Sequence, residues 1–142
     1  MTSISIDPKS REVIIKIKGL DRSIASNTRK AFRFIGKQLK ATAVKNILKK
    51  GRNGRQYKYQ GAIHIASEPG ESWANRSGKA KGGLFYRVIN STKMKFGNTV
   101  DYAKFLELGT FKMAPRPAHL ISIKQNRRNI VNAFDRNIRS SF

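Results

Sequence analysis

Two pairs of short segments alternate apolar and polar residues, which is the pattern of half-buried β-strands. In the first pair, Ile4 and Ile6 alternate with serines, and Val13, Ile15 and Ile17 follow a turn-forming Asp-Pro-Lys-Ser run. This pattern predicts an N-terminal β-hairpin. Because two strands alone are only marginally stable, we expect the hairpin to join a larger sheet or a neighbouring subunit.

The second pair of alternating segments begins at Leu84. Apolar residues recur there at every second position, an Asn-Ser-Thr run supplies a turn, and Met94 and Phe96 repeat the alternation. We predict a second hairpin that forms the middle of the sheet, with Gly97–Asn98 marking a bulge or a further turn.

Between the hairpins, residues 22–50 contain no proline and repeat apolar residues at helical spacing. Asp21 is predicted to cap this helix at its N-terminus and Gly51 at its C-terminus. At about 100° per residue, one side carries Leu20, Ile24, Ala31, Ile35 and Leu39. The other side carries a basic stripe formed by Arg29, Lys30, Arg33, Lys37 and Lys40. Such a stripe is typical of a solvated helix face, and the sharper alternative is a surface that faces DNA.

The apolar positions of the long helix shift after Ala41. Val44, Ile47 and Leu48 fall in the angular sector that the basic stripe occupies earlier. Two interpretations fit this shift equally well. One is a continuous helix that contacts two different partners, and the other is a helix that bends or breaks between Ala41 and Ala43.

Residues 51–83 are rich in glycine and basic residues, which predicts a long mobile basic loop rather than a core element. Tyr57, Tyr59 and Trp73 argue against simple disorder, because free linkers seldom carry large aromatic side chains. We therefore expect these three side chains to order the loop against another subunit.

A nucleic-acid clamp is the alternative for the first part of this loop. Tyr57 and Tyr59 would stack on bases, and the neighbouring cations would neutralise phosphates. Those cations are Arg52, Arg55 and Lys58.

Two helices are predicted after the second hairpin. The first spans Asp101 to Leu108 and ends at Gly109, because a residue without Cβ readily adopts the left-handed conformation that closes a helix. The second spans about His119 to Arg139, and its apolar arc contains Leu120, Ile123, Ile130, Val131, Phe134 and Ile138. Arg127 falls inside this arc, where it either extends to solvent along its methylene groups or pairs with a buried acid such as Glu107.

Together these elements predict a mixed α+β fold. An antiparallel β-sheet packs against one long helix in the N-terminal half, followed by a long flexible loop and a C-terminal helix. Residues 1–142 are expected to form a single domain, since a chain of this length buries roughly 68% of its unfolded surface. No apolar run reaches the roughly 18 residues of a membrane span, and we expect a soluble protein that is not exported.

Charge is the strongest compositional feature. The chain has 30 Lys and Arg against 8 Asp and Glu, which leaves a net charge of +22. Such a field attracts nucleic acid, acidic protein surfaces, or the DNA that passes through a ring. A basic face that serves solubility alone is the less informative alternative, because +22 is well beyond what solubility requires.

Catalytic chemistry finds little support in the sequence. The chain has no cysteine, which excludes disulfides and thiolate chemistry. His64 and His119 have no nucleophile or acid at motif spacing, and Glu68 and Glu71 are too few ligands for a metal site. We predict no enzymatic activity, no metal and no cofactor.

Two stretches carry a family resemblance. Asp101 to Leu120 reads DYAKFLELGTFKMAPRPAHL, and His64 to Val88 reads HIASEPGESWANRSGKAKGGLFYRV. The first resembles a "YA.flE.GT" segment followed by "M.PRP", and the second resembles an "AS.PGE.P…TG.L" stretch. Both patterns are typical of the neck and tail-completion proteins of long-tailed bacteriophages, a family of head-tail joining proteins. The chain departs from the second pattern where Trp73 replaces a usual proline, Ser77-Gly78 replaces Thr-Gly, and residues 79–83 are additional.

The resemblance implies an oligomeric ring in the virion neck, assembled in the host cytoplasm. Its neighbours would be the head connector or stopper protein on one side and the tail terminator or tail-tube protein on the other, with packaged DNA in the lumen. Tyr102, Phe105, Glu107, Gly109 and Thr110 would shape the motif region. The following loop would be presented to a neighbour by Met113, Pro115, Arg116 and Pro117.

Within this region Glu107 is the best candidate for an ion pair, either between subunits or within the domain. Two other functions remain open at this point: a sequence-nonspecific nucleic-acid-binding protein that acts alone, and a tail terminator ring.

Overall fold

The computed structural model describes residues 2–7, 12–17, 22–49 and 52–140, with side chains from residue 24 onward. The predictions for Leu20, Asp21 and Gly51, and for the side chains of the first hairpin, lie outside this part. The strands are β1 (Thr2–Asp7), β2 (Glu12–Ile17), β3 (Gln56–Tyr59), β4 (Ala62–Ile65), β5 (Leu84–Asn90) and β6 (Lys93–Asn98). The helices are α1 (Arg22–Ile47), α2 (Lys79–Gly82), α3 (Ala103–Leu108), α4 (Ala118–Gln125) and α5 (Arg127–Arg139).

The fold is mixed α+β, as the sequence predicts. Four strands form an antiparallel sheet in the order β1-β2-β6-β5, so both predicted hairpins are confirmed and the first joins a larger sheet. The second hairpin does not supply the whole middle of the sheet, because β5 lies at an edge and β2 pairs with β6. Gly97–Asn98 lies inside β6, and the irregularity in register falls between Val88 and Asn90 instead.

Helix α1 is continuous and keeps one buried face. Ala43 and Ile47 are as fully buried as Ile35 and Leu39, so the apolar face drifts slowly around the helix and does not switch to the opposite side. Of the two interpretations, the continuous helix is confirmed and a break between Ala41 and Ala43 is wrong. The shift in the pattern is the far end of this drift, since Ile47 is buried and Val44 packs against the core, while Leu48 is half-exposed.

The sheet and α1 approach each other closely at Gly36. A Cβ at this position would lie 2.3 Å from Cδ2 of Tyr86, so only glycine lets the Tyr86 ring pack directly on the helix backbone. One turn before Gly36, Phe32 meets Phe134 of α5 edge-on at 5.3 Å between ring centroids. The core therefore lies between α1, the β5 and β6 strands, and the C-terminal helices.

Residues 52–83 are more ordered than predicted. They contain the β3–β4 hairpin, whose two-residue turn places Gln60 and Gly61 at φ 48° and 80°, and the single-turn helix α2. The segment also contributes to the core, because Trp73 and Ala80 are buried there. The prediction of a loop without core residues is thus wrong, and the signal that it missed is the alternation of Tyr57 and Tyr59 before a glycine turn.

The predicted C-terminal helix is two helices. Asn126 interrupts it with φ −96° and ψ 6°, and its side-chain amide donates to Thr42 Oγ1 at 2.8 Å and to the Ser122 carbonyl at 2.8 Å. This polar contact with α1 replaces regular helix geometry at one residue. Arg127, which follows, is exposed and does not pair with Glu107, so its path to solvent is the confirmed alternative.

Candidate functional site

The two stretches that carry the family resemblance lie side by side. The backbone N–H of Gly70 donates to the Pro115 carbonyl at 3.1 Å, and that of Trp73 donates to the Arg116 carbonyl at 3.3 Å. The N–H of Arg116 donates in turn to the Leu106 carbonyl at 2.7 Å. The fold therefore joins α3, the turn after it, and the Pro-Gly segment of residues 66–73 into one unit.

Glu107 lies at the centre of this unit. Its Oε1 accepts hydrogen bonds from Trp73 Nε1 at 3.0 Å, from His119 Nδ1 at 2.5 Å and from the backbone N–H of Ala118 at 2.8 Å. The N–H of His119 donates to both carboxylate oxygens, at 3.1 and 3.2 Å. The first N–H groups of a helix have no partner within the helix and carry a partial positive charge, so Glu107 caps α4 from a separate element.

These partners show which of the two ion pairs predicted for Glu107, between subunits or within the domain, is present in the structure. The partner is within the domain, and it is His119 rather than one of the many lysines and arginines. Burial by itself would raise the pKa of Glu107, but hydrogen bonds from His119 and Trp73 and the charge of the His119 side chain outweigh it and lower the pKa below 4.5. The carboxylate is thus held in its charged form by the donors around it.

His119 connects Glu107 to the sheet. Its ring packs edge-on against Phe96 of β6 with 4.9 Å between ring centroids, and the residue is only 2% exposed. A carboxylate-oriented imidazole is also found in hydrolases, where the second ring nitrogen faces a nucleophile. Here Nε2 is shielded from solvent and has no hydrogen-bond partner among the described residues. In this geometry the Glu107–His119 pair links α3 to α4 and to β6 of the sheet.

The turn after α3 has the positive φ at Gly109 that the sequence predicts, but the left-handed helix closure predicted there is wrong, because ψ at Gly109 is 178°. Gly109 has φ 76°, and a Cβ there would lie 2.7 Å from the Met113 carbonyl oxygen. Thr110 and Met113 form an isolated antiparallel bridge, with the Thr110 N–H donating to Met113 O at 2.7 Å. Pro117 has the extended φ and ψ of −78° and 113° that precede α4. Gly109 is thus required by its conformation and by the close approach of Met113.

One face of α3 and its turn is apolar and exposed. We call this surface the α3 apolar stripe; it consists of Tyr102, Phe105, Leu108 and Phe111. Phe105 is 47% exposed, and Phe111 at the tip of the turn is fully exposed at 103%. The opposite face of α3 packs inward through Ala103 and Leu106. The motif region therefore fixes its inner face on Glu107 and presents hydrophobic side chains outward.

A second apolar surface lies on the C-terminal helices. A groove of about 430 Å³ runs along α4 and α5, and its apolar lining is formed by Ile123, Ile130, Val131 and Phe134. Lys124, Arg127 and Asp135 lie at its border. We call this surface the α4–α5 groove. It is separate from the α3 apolar stripe, with which it shares no residue.

Arg52 has a different role from the one predicted for it in a nucleic-acid clamp. Its guanidinium is buried and donates from Nη2 to the carbonyls of Asn46 at 2.7 Å and Ile47 at 3.0 Å, and from Nη1 to the Ser72 carbonyl. Burial lowers the pKa of Arg52, and the nearby carboxylate of Glu71 opposes that shift. Because the guanidinium satisfies carbonyls at the end of α1, it cannot neutralise phosphates.

The tyrosines of the β3–β4 hairpin face their own domain. Tyr57 stacks on His64 with 5.7 Å between centroids, and the Arg76 guanidinium lies 3.9 Å above the Tyr59 ring. Trp73 is only 1% exposed and belongs to the core, so it cannot contact another subunit as predicted. Arg55 and Lys58 are exposed, as the clamp prediction requires.

A cavity of about 660 Å³ lies between this hairpin, residues 73–80 and α3. The basic stripe of α1 lies elsewhere on the surface, and all five of its side chains are exposed.

Among the described residues, no group of three or more His, Cys, Asp or Glu is arranged to hold a metal ion. None of the described helices is long and apolar enough to cross a membrane.

Comparison with known proteins adds no assignment: no family model, no curated protein and no solved structure matches this chain.

Proposed function

We propose that this protein is a structural component of a phage neck, in which copies form a ring that joins the DNA-filled head to the tail and completes the tail. The observation that carries the proposal is the α3 apolar stripe, which lies on the stretch that resembles the head-tail joining family. Large apolar side chains clustered on the surface of a small, strongly charged protein favour a role in protein–protein contact.

A ring requires two different surfaces on each copy, because its neighbours contact head-to-tail. The α3 apolar stripe and the α4–α5 groove satisfy this requirement, since they are distinct and both apolar. Burial of a Phe side chain contributes about 1.5–3 kcal/mol, so Phe105 and Phe111 could supply much of the energy of one contact.

The experiment is a mass measurement by light scattering over a range of protein concentrations at moderate and high salt. The test variant is Phe105→Ser, and the matched control is Phe34→Ser, because Phe34 is also a helical residue and is 46% exposed against 47% for Phe105. We expect a discrete, salt-resistant oligomer for the unmodified protein and for Phe34→Ser, and a smaller species for Phe105→Ser. A monomer at every concentration, or equal loss in both variants, would contradict the proposal.

A sequence-nonspecific nucleic-acid-binding protein is the second candidate, and the exposed basic stripe of α1 favours it. The same light-scattering measurement with added double-stranded DNA separates the two. A monomer that coats DNA at moderate salt and releases it at high salt would support this candidate. A tail terminator ring shares the assembly prediction, and cryo-electron microscopy of the virion would place the ring.

A further inference from the structure

The cavity beside the β3–β4 hairpin has an unusual lining. Its walls include three tyrosines and three cations: Tyr57, Tyr59, Tyr102, Arg76, Lys79 and Arg116. No aspartate or glutamate is among the lining residues. A volume of about 660 Å³ is in the range of ligand-binding pockets, about 300–1,000 Å³. The lining therefore fits an anionic occupant.

The cations of this cavity have no acidic partner in the described part of the chain. The ion pairs His119–Glu107 and Arg139–Asp135 in this part do not include Arg76, Lys79 or Arg116. Arg116 is half-buried, and its Nε is shielded from solvent without a hydrogen bond. The Arg76 guanidinium lies 3.9 Å from the centre of the Tyr59 ring. Guanidinium groups bind a carboxylate by donating two parallel hydrogen bonds to its oxygens.

A second polar atom in the cavity wall lacks a partner. Oδ1 of Asn75 is buried and accepts no hydrogen bond from the described residues. Buried polar atoms nearly always have a hydrogen-bond partner. A ligand that donates an N–H to Asn75 Oδ1 and places an anion at Arg116 Nε would give both atoms a partner. Both atoms are shielded from solvent in this conformation, so an occupant of the cavity contacts them only if the two side chains rotate.

We propose that this cavity binds an acidic peptide segment of a neighbouring protein, with a carboxylate on Arg116 and Arg76 and a backbone N–H on Asn75. A peptide carries both groups close together, whereas the sugar–phosphate backbone of DNA has no N–H or O–H to donate. One face each of Tyr57 and Tyr59 is already covered by His64 and by Arg76, which leaves less aromatic surface for stacked bases.

A second copy of this chain is a poor source of that segment, because the chain has 30 basic and 8 acidic residues. The inference rests on the proposed function and deepens it, since it names the chemistry of one neighbour in the neck. The basic joining protein would recognise an acidic segment of a different protein rather than of itself.

The test uses fluorescence anisotropy with a fluorescein-labelled oligoglutamate peptide and with a labelled single-stranded oligothymidylate of equal charge, at about 0.15 M salt, which screens long-range attraction. The variants are Arg76→Gln alone and Arg76→Gln/Arg116→Gln. The matched control, Arg33→Gln/Lys37→Gln, removes two charges from the basic stripe. Thermal melting of each variant checks the fold, and the single change at the exposed Arg76 keeps the test valid if the double variant is unstable.

We expect the cavity double variant to weaken oligoglutamate binding about tenfold or more, because it removes the charged donors of the hydrogen bonds to the carboxylate. The stripe control should change it less than about threefold. The proposal is overturned if the unmodified protein does not bind oligoglutamate, if both double variants lose affinity equally, or if the cavity variants affect oligothymidylate as much as oligoglutamate. Light scattering with the Phe105→Ser variant tests the proposed function, and anisotropy with the Arg76 and Arg116 variants tests the cavity. Either proposal can therefore fail without the other.

Discussion

At the scale of single residues, Glu107 shows how a carboxylate can organise a small domain. Four donor groups from two separate parts of the chain converge on it: the Trp73 indole, and at the start of α4 the His119 ring and the first two backbone N–H groups. Hydrogen bonds to a charged group are stronger than those between neutral groups. The carboxylate therefore fixes the entry into α4 and the position of Trp73 together.

The substitution Glu107→Gln tests this role. We expect a loss of about 1–3 kcal/mol in the free energy of unfolding at neutral pH, because an amide accepts weaker hydrogen bonds and places an NH₂ against existing donors. The folded-state pKa lies below 4.5, so the unmodified protein keeps this contribution above about pH 4.5 and loses it as the pH falls through the folded pKa. Urea unfolding at several pH values measures both effects.

Asp135→Asn is the control for Glu107. Asp135 also accepts a hydrogen bond from a basic side chain, at 2.8 Å from Arg139, but both side chains are exposed. Because solvent screens an exposed pair, we expect little change in stability. If Glu107→Gln and Asp135→Asn have the same small effect, or if the acid-dependent loss persists in Glu107→Gln, then Glu107 does not stabilise the domain as described.

At the scale of elements, Arg52 joins the end of α1 to the Pro-Gly segment. Its guanidinium donates hydrogen bonds to carbonyls of both elements. These are the carbonyls of Asn46 and Ile47 on α1, and of Ser72 and Trp73 in the segment. The N–H of Asn75 adds a further bond to the Ile47 carbonyl at 3.3 Å. The segment of residues 52–83 is therefore ordered by contacts with its own helix.

Arg52→Ala is expected to destabilise the domain by about 3 kcal/mol, since each buried carbonyl left without a donor costs about 1–3 kcal/mol. Trp73 is the single tryptophan of the chain, so its fluorescence reports locally on the segment. We expect its emission to shift to longer wavelength in Arg52→Ala at temperatures below global unfolding. The control is Arg55→Ala, because Arg55 is exposed in the same segment. An unchanged emission maximum in Arg52→Ala would contradict this account.

At the scale of the whole molecule, the net charge of +22 predicts salt-dependent binding to double-stranded DNA. Each phosphate contact that is removed reduces the slope of log affinity against log salt by about 0.9. If the basic stripe contacts DNA, neutralising three of its residues should reduce the slope by nearly three. The triple variant changes Arg33, Lys37 and Lys40 to Gln.

The matched control for this prediction neutralises three cations at the α4–α5 boundary, namely Lys124, Arg127 and Arg128. It changes the net charge by the same amount but on a different surface. Filter binding or anisotropy over a salt series gives both slopes. Equal slopes for the two triple variants would mean that the affinity for DNA depends on the total charge of the protein. DNA would then have no preferred contact with the basic stripe.

The sequence by itself determined α1, the two hairpins of the main sheet and the charge of this protein. Strand alternation gave both hairpins of the main sheet, and the helical repeat gave α1, because these periodicities arise from geometry within a few neighbouring residues. The positive φ of Gly109 was also predictable, since it follows from the absence of a Cβ next to a helix end. The exposure of the basic stripe followed from its position opposite the apolar face.

Only the tertiary structure decided the partners of the buried polar groups. Trp73 and Glu107 are 34 residues apart, and no local sequence pattern predicts the hydrogen bond between them. Arg52 resembles any other basic loop residue until the end of α1 and the Ser72 carbonyl are placed beside it. The break at Asn126 likewise depends on Thr42, which is 84 residues away. A buried polar group takes whatever donors and acceptors the fold brings to it, and that set is fixed by packing between distant segments rather than by sequence spacing.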